Sequence, residues 1–293
     1  MRFFIADAFA DELFGGNPAG IVLIPEGYAF LPDETMRKTA AELRYSETAF
    51  IRTLGNNEFE VRYFTPAAEV DLCGHATIAS FYALDTEGHI EAGKPCTAHT
   101  KAGALRIDVA QGSVLMDMGE AVSLGTIEDA DALAELYGVM GIEALVPYAG
   151  DRPLLPELVS TGLPDIMLAV EDADALAAIQ PDFPALSALS RRYGVTGVHA
   201  FCLTDKPGIV RCRNFAPLYD IDEEAATGTA NGALTFYLYK KGLLPEGTET
   251  VFIQGESMGR PSKVLSTLTI DAGNVHIRVG GSAVILAEGS INL

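Results

Sequence analysis

The chain has 293 residues, enough for two domains that each bury a core of their own. Forty acidic against twenty basic residues give a formal charge of −20, which repels phosphate backbones and anionic headgroups and sets aside nucleic acid and membrane surfaces as partners. Four cysteines, Cys73, Cys96, Cys202 and Cys212, form no C-x-x-C pair, so neither a disulfide scaffold nor a metal site is expected.

The N-terminal apolar run Phe3-Phe4-Ile5-Ala6 is interrupted by Asp7 before a signal-peptide core can develop, and no apolar stretch approaches spanning length. A soluble, cytoplasmic chain is expected. Short alternating or β-branched runs between turn residues predict strands at Phe3–Ala8, Gly20–Ile24, Glu47–Thr53, Phe59–Phe64, Ala104–Gln111, Ser113–Met118, Asp165–Val170, Val198–Leu203, Gly208–Asn214, Glu249–Ile253, Ser262–Ile270, Val275–Val279 and Ala283–Leu286. Helical periodicity is confined to Asp33–Leu43, Ala76–Leu84, Ala130–Leu136, Asp172–Ile179, Ala185–Arg192 and Thr229–Lys241. This mixture predicts an α+β fold.

Two segments look alike. Arg62-Tyr63-Phe64-Thr65-Pro66 leads into Gly74-His75-Ala76-Thr77, and Arg213-Asn214-Phe215-Ala216-Pro217 leads into Ala226-Thr227-Gly228-Thr229-Ala230. An offset of 151 carries Pro66 onto Pro217 and Ala49-Phe50 onto Ala200-Phe201, so the halves read as copies of one unit. The helices that follow, around Ala76–Leu84 and Ala230–Leu238, are apolar nearly all round, as buried helices are. The simplest architecture is two similar domains, each a curved sheet wrapped around one central helix.

Where the copies differ, chemistry is the candidate cause. The same offset places Glu47 opposite Val198, a carboxylate against an aliphatic side chain. Both central helices begin with glycine and small residues, so their N-terminal N–H groups and positive dipole ends can be approached closely. A small anionic substrate, repelled by the net charge, would need such local donors.

The ordered motifs Asp7-Ala8-Phe9, Phe14-Gly15-Gly16-Asn17-Pro18-Ala19, Ser46-Glu47-Thr48-Ala49-Phe50, Cys73-Gly74-His75-Ala76-Thr77, Val159-Ser160-Thr161-Gly162, Ala226-Thr227-Gly228-Thr229-Ala230 and Gln254-Gly255 with Met258-Gly259-Arg260-Pro261-Ser262 resemble the phenazine-biosynthesis PhzF-like isomerase family, whose fold is related to diaminopimelate epimerase. The resemblance covers nearly the whole chain. It implies two nearly closed sheets around central helices, an active site between them, and a C-terminal strand that returns to the first domain. Domains 1–121 with 283–293, and 122–282, follow from that reading.

The resemblance, with the repeat comparison, makes Glu47 the acid/base residue of a cofactor-independent isomerase acting on a small carboxylated metabolite. Desolvation at the mouth of an apolar cleft is expected to raise its pKa toward neutrality. By itself Glu47 also reads as a surface or capping glutamate. His75 reads equally as a helix-start histidine and as a group that assists proton transfer. Asn17 suits a turn for backbone reasons alone, and the resemblance adds an amide reaching the ligand. Gly74, Gly228 and Thr229 would supply N–H groups and a hydroxyl to the substrate. Glu224 stands where the family pattern carries Asp, with Ala225 for Pro and Thr229 for Ser.

A racemase with two facing thiols would need a cysteine between positions 224 and 230, and there is none. Cys73 therefore reads as a small buried residue beside His75. The Gln254–Arg260 segment lacks the Lys-Ser/Thr ending of a phosphate loop and reads as a structural turn. A non-catalytic small-molecule binding protein is the alternative function, and a homodimer is implied by resemblance alone.

Overall fold

The computed structural model describes residues 1–110, 112–143 and 146–293. The chain forms two compact units, 1–117 with 280–293, and 118–279.

The first unit contains β1 (Arg2–Ala8), β2 (Asn17–Leu23), α1 (Asp33–Leu43), β3 (Thr48–Gly55), β4 (Glu58–Phe64), β5 (Glu69–Val70), α2 (Gly74–Thr86), β6 (Cys96–Thr100), β7 (Gly103–Ala110) and β8 (Ser113–Asp117). The strand expected over Ala104–Gln111 is β7, and its last residue, Gln111, lies outside the described residues. The second unit contains β9 (Val122–Thr126), α3 (Ala130–Val139), β10 (Tyr148–Ala149), β11 (Arg152–Pro153), β12 (Glu157–Ser160), β13 (Pro164–Ala169), α4 (Ala173–Ala178), α5 (Phe183–Tyr193), β14 (Val198–Leu203), β15 (Ile209–Ala216), β16 (Ile221–Glu224), α6 (Gly228–Lys240), β17 (Glu249–Gln254) and β18 (Ser262–Asp271). A final long strand, β19 (Asn274–Ser290), begins in the second unit and from Gly280 onward belongs to the first. The two strands expected at Val275–Val279 and Ala283–Leu286 are parts of this one strand.

In the first unit β1, β2, β3, β4, β6, β7, β8 and β19 pair in a closed ring of eight strands. Closure leaves no unpaired edge among these strands. Inside the ring lies α2, packed against β1, β2, β3, β7 and β8, with every residue from His75 to Leu84 buried except Tyr82. An amphipathic helix could not occupy that place, which is why α2 is apolar on all sides. Outside the ring, α1 covers Val22, Phe50 and Phe64 with Met36 and Ala40.

The second unit repeats the plan. In both, a parallel pair (β2 with β3, β13 with β14) continues into an antiparallel neighbour (β4, β15), then a parallel one (β6, β17), then an antiparallel return (β7, β18). The central helix is α6, as long as α2 at 13 residues and buried against β12, β13 and β18. Its outer core joins Ile166, Leu168, Val198 and Ala200 to α3, α4 and α5. Each inner core carries an edge-to-face aromatic pair, Phe59 with Phe81 at 5.3 Å and Phe201 with Tyr237 at 5.6 Å, each worth about 0.5–1.5 kcal/mol beyond its buried area.

The register corrects the alignment of the two copies. Thr48 pairs with Phe64, and Val198 pairs with Phe215, the counterpart of Phe64. Gly20 N–H donates to Glu47 O at 3.2 Å, and Ile166 N–H donates to Gly197 O at 3.0 Å. The positional counterpart of Glu47 is therefore Gly197, and Val198 corresponds to Thr48. The shared Ala-Phe dipeptides misled the alignment by one residue. Phe50 faces outward against Phe64 while Phe201 faces inward against Tyr237, because a one-residue slip exchanges the faces of a strand.

Candidate active site

The expected site residues fall into two clusters, one in each unit. In the first unit, Asn17 opens β2, Glu47 precedes β3, and Gly74 and His75 open α2. The parallel pairing of β2 with β3 brings two strand starts together, and the contacts of His75 with Asn17 and Glu47 place the start of α2 beside them. His75 is the hub. Its Nε2 lies 3.2 Å from Glu47 Oε2 and 3.3 Å from the Ser46 hydroxyl. Its Nδ1 lies 3.2 Å from the Asn17 amide nitrogen and 3.5 Å from Cys73 Sγ. The His75 side chain is 5% exposed and that of Glu47 16%, with Glu47 Oε2, the oxygen nearest His75, itself buried.

The expected rise in the Glu47 pKa is corrected by this geometry. Burial does push it up, but the hydrogen bond and charge of His75, with Ser46 and Cys73, outweigh burial and hold the carboxyl below its ordinary value. For His75, burial disfavours the charge, while Cys73 and then the Glu47 carboxylate more than offset that and hold it well above its ordinary value. Burial and the Glu47 charge push the Cys73 thiol up to about 11. The sulfur therefore stays protonated near neutral pH, and the negative partner of His75 is Glu47. Each of the two, Glu47 and His75, favours the charged form of the other.

Ligating atoms of Glu47, Cys73 and His75 all lie within 4.8 Å of one another, close enough to share a cation. A cation there would have to displace the protons of the thiol and the imidazole, since it binds their deprotonated forms.

In the second unit Glu224 ends β16, and Gly228 and Thr229 open α6. Thr227 occupies the N-cap position but directs its hydroxyl to Glu224 Oε2 at 2.6 Å, so α6, like α2, has no side-chain cap. The positive end of the helix dipole is left to other partners. Beneath this end runs a buried chain that sequence reasoning missed. Gln254 accepts from Thr227 N–H at 3.2 Å and from Asn231 Nδ2 at 2.9 Å, and donates to the Glu224 carbonyl at 2.7 Å. Asn231 Oδ1 accepts from His199 Nε2 at 3.1 Å, and Asn214 Nδ2 donates to His199 Nδ1 at 3.2 Å. Burial pushes His199 down to about 4, so it is a neutral strut and not a proton carrier at neutral pH. Its only sequence signal was a run of polar residues inside otherwise apolar elements. Two shallow hollows, of about 260 and 320 Å³, lie elsewhere, beside α1 in the first unit and beside α3 in the second.

Compared with known proteins, residues 6–289 match the family of phenazine biosynthesis-like proteins. An uncharacterized isomerase of Clostridium acetobutylicum is 32% identical over 299 residues, covering 98% of this chain and 96% of the relative. The trans-2,3-dihydro-3-hydroxyanthranilate isomerase of Pseudomonas fluorescens is 28% identical over 299 residues, covering 100% and 99%. The crystal structure of a PhzF-family phenazine biosynthesis protein of Bacillus anthracis superposes with a TM-score of 0.86 at 27% identity, covering 100% of this chain and 99% of that one.

Proposed function

The chain belongs to the phenazine biosynthesis-like protein family and is a PhzF-like isomerase, and we propose that it moves a proton between two carbons of a small carboxylated metabolite, with Glu47 as the acid/base group. The observation that carries this reading is the Glu47–His75 pair at 3.2 Å, present in one unit and replaced by Gly197 at the same register in the other.

In this mechanism the Glu47 carboxylate takes a proton from a carbon next to an electron-withdrawing group of the substrate. His75, holding positive charge beside it, fixes the carboxylate and balances the charge that develops. Glu47 then returns the proton to a second carbon of the same delocalised system, and the pair is back in its starting form. A depressed pKa keeps Glu47 ionised and ready to accept at neutral pH. The cost is weaker basicity, which burial of the bound substrate would offset by excluding water.

The substrate carboxylate would be received by uncapped helix N-termini, with Gly74, Gly228 and Thr229 as donors and Asn17 and Glu224 orienting the rest. The name of the Pseudomonas fluorescens relative makes trans-2,3-dihydro-3-hydroxyanthranilate the first compound to try.

The test is proton exchange. Incubated in D₂O with small amino- and hydroxy-carboxylates including that compound, the protein is expected to exchange a substrate C–H for deuterium, and Glu47→Gln to abolish the exchange. Exchange that persists in the variant would overturn the role of Glu47. Saturable binding without exchange across the panel would favour a binding protein.

A further inference from the structure

Asp165, in the second unit, takes no part in the proton transfer or carboxylate binding described so far. It lies on β13, is 1% exposed, and its Oδ1 has no hydrogen-bond partner among the described residues. Buried carboxyl oxygens are nearly always paired, so an unpaired one calls for a reason.

The strand register gives its place. Ile166, Leu168, Val198 and Ala200 face the outer helices, so Asp165, Met167 and His199 face inward toward α6. Along that face, Glu157 meets Lys240 at the C-terminal end of α6, and Thr161 donates to the Thr229 carbonyl at 3.0 Å at the N-terminal end. Asp165 pairs with Val159, midway between those two contacts, and on the other side lies one step before the Ile166–Val198 pair, next to His199, which holds Asn231 in the first turn of α6. Asp165 is thus an inward-facing acid at the level of the first turn of α6. Its counterpart in the first unit is Ala19, by the same register that matches Gly20 to Ile166. A carboxyl has been placed here in one copy only.

We propose that Asp165 is a positioning residue for carboxylate binding at the N-terminus of α6: carrying its proton it adds no charge to that of Glu224, and shedding the proton it repels the bound anion. The proposal rests on the reading that this helix end receives the substrate carboxylate.

Burial, and after it the Glu224 charge, push Asp165 up to about 7, against a backbone hydrogen bond from Gly197 that favours ionisation. The other titratable groups on this face do not interfere. His199 on β14 is pushed down to about 4 and stays neutral, Glu157 on β12 is held by Lys240 and Lys241 at the far end, and the first turn of α6 has no acid or base. The protonated form is favoured when an anion is bound, so affinity is greatest below about 7 and declines above it.

The experiment measures binding of 2-aminobenzoate to the full-length protein by titration calorimetry at about pH 6 and about pH 9, with carbon-13 NMR of the Asp165 carboxyl followed through the same range. The wild type is expected to lose about tenfold in affinity across that interval, the effect of one added charge nearby. Asp165→Asn, neutral and of the same shape, is expected to keep the low-pH affinity throughout, whereas a merely structural role would weaken binding equally at every pH. Affinity that is flat in the wild type, or an unchanged slope in the variant, overturns the proposal. Should the variant fail to fold, the wild type still decides: bound 2-aminobenzoate must move the Asp165 titration upward, and no movement overturns it. Failure of 2-aminobenzoate and of trans-2,3-dihydro-3-hydroxyanthranilate to bind at any pH would instead sink the carboxylate site at α6, a different result from binding that ignores pH.

Discussion

The Glu47 carboxylate lies 3.2 Å from His75 Nε2, and each group moves the other's titration toward the charged form. Replacing Glu47 by Gln keeps a hydrogen-bonding side chain but removes the charge and the base. Proton transfer is expected to slow by roughly 100- to 10,000-fold, the usual contribution of a general acid–base group. In the same variant the His75 titration should move down, because burial then acts with one less opponent. Proton NMR of the His75 ring reads that shift, and an unmoved titration would mean that Glu47 is not its counter-charge.

The pair also predicts a stability window. Glu47 is held below its ordinary 4.5, so its contribution is complete above that value and is lost as pH falls through the folded-state pKa. His75 is held well above 6.5, so its contribution is complete below 6.5 and is lost as pH rises through the folded-state pKa. The stability difference between wild type and a Glu47→Gln, His75→Asn double variant should therefore be greatest between 4.5 and 6.5 and shrink on both sides. Thermal melts across pH check this. A difference that grows steadily above neutrality would contradict the raised His75.

Most long elements were legible because their periodicity is local. The helix expected over Asp33–Leu43 is α1 over the same residues, and the strand expected over Val198–Leu203 is β14. Strands such as β5, with two residues, and β16, with four, are too short to show any period, and their ladders come from neighbours. The duplication was visible in apolar helices and repeated motifs, yet its register was not, since only cross-strand pairing could distinguish Gly197 from Val198 as the partner of Glu47. The meeting of Glu47 with His75 across 28 positions came within reach through family motifs. Asp165 and Gln254 carried no such mark, because their partners are set by how β13 and β17 lie against α6.

Gly197 tests the register directly. A Cβ added there would lie 1.8 Å from the Phe215 carbonyl oxygen, and that oxygen belongs to a paired strand that cannot easily give way. Gly197→Ala is expected to destabilise the protein by about 1–3 kcal/mol or more through overpacking. Val198→Ala, by contrast, removes two buried methyl groups from the outer core and should cost about 1–3 kcal/mol through lost packing, without displacing the backbone. Denaturant melts with amide hydrogen exchange on β14 and β15 separate the two, since only the glycine variant should open the β14–β15 ladder. A glycine variant as stable as wild type would mean that the two strands are not so closely apposed.

Cys73 is predicted to be a partner of His75 and not a nucleophile. The residue is 7% exposed and its thiol is pushed up to about 11 by burial and by the Glu47 charge, so the thiolate needed for alkylation is scarce at neutral pH. Iodoacetamide should leave the native protein unmodified at this position over times that label an exposed thiol fully, as mass spectrometry of peptides would show. Cys73→Ala should keep proton exchange within about tenfold of wild type, because the base is Glu47, while moving the His75 titration down as the sulfur contact at 3.5 Å is lost. Loss of exchange with His75 unmoved would reverse the assignment: the thiol would then be carrying the proton and the imidazole merely packing beside it.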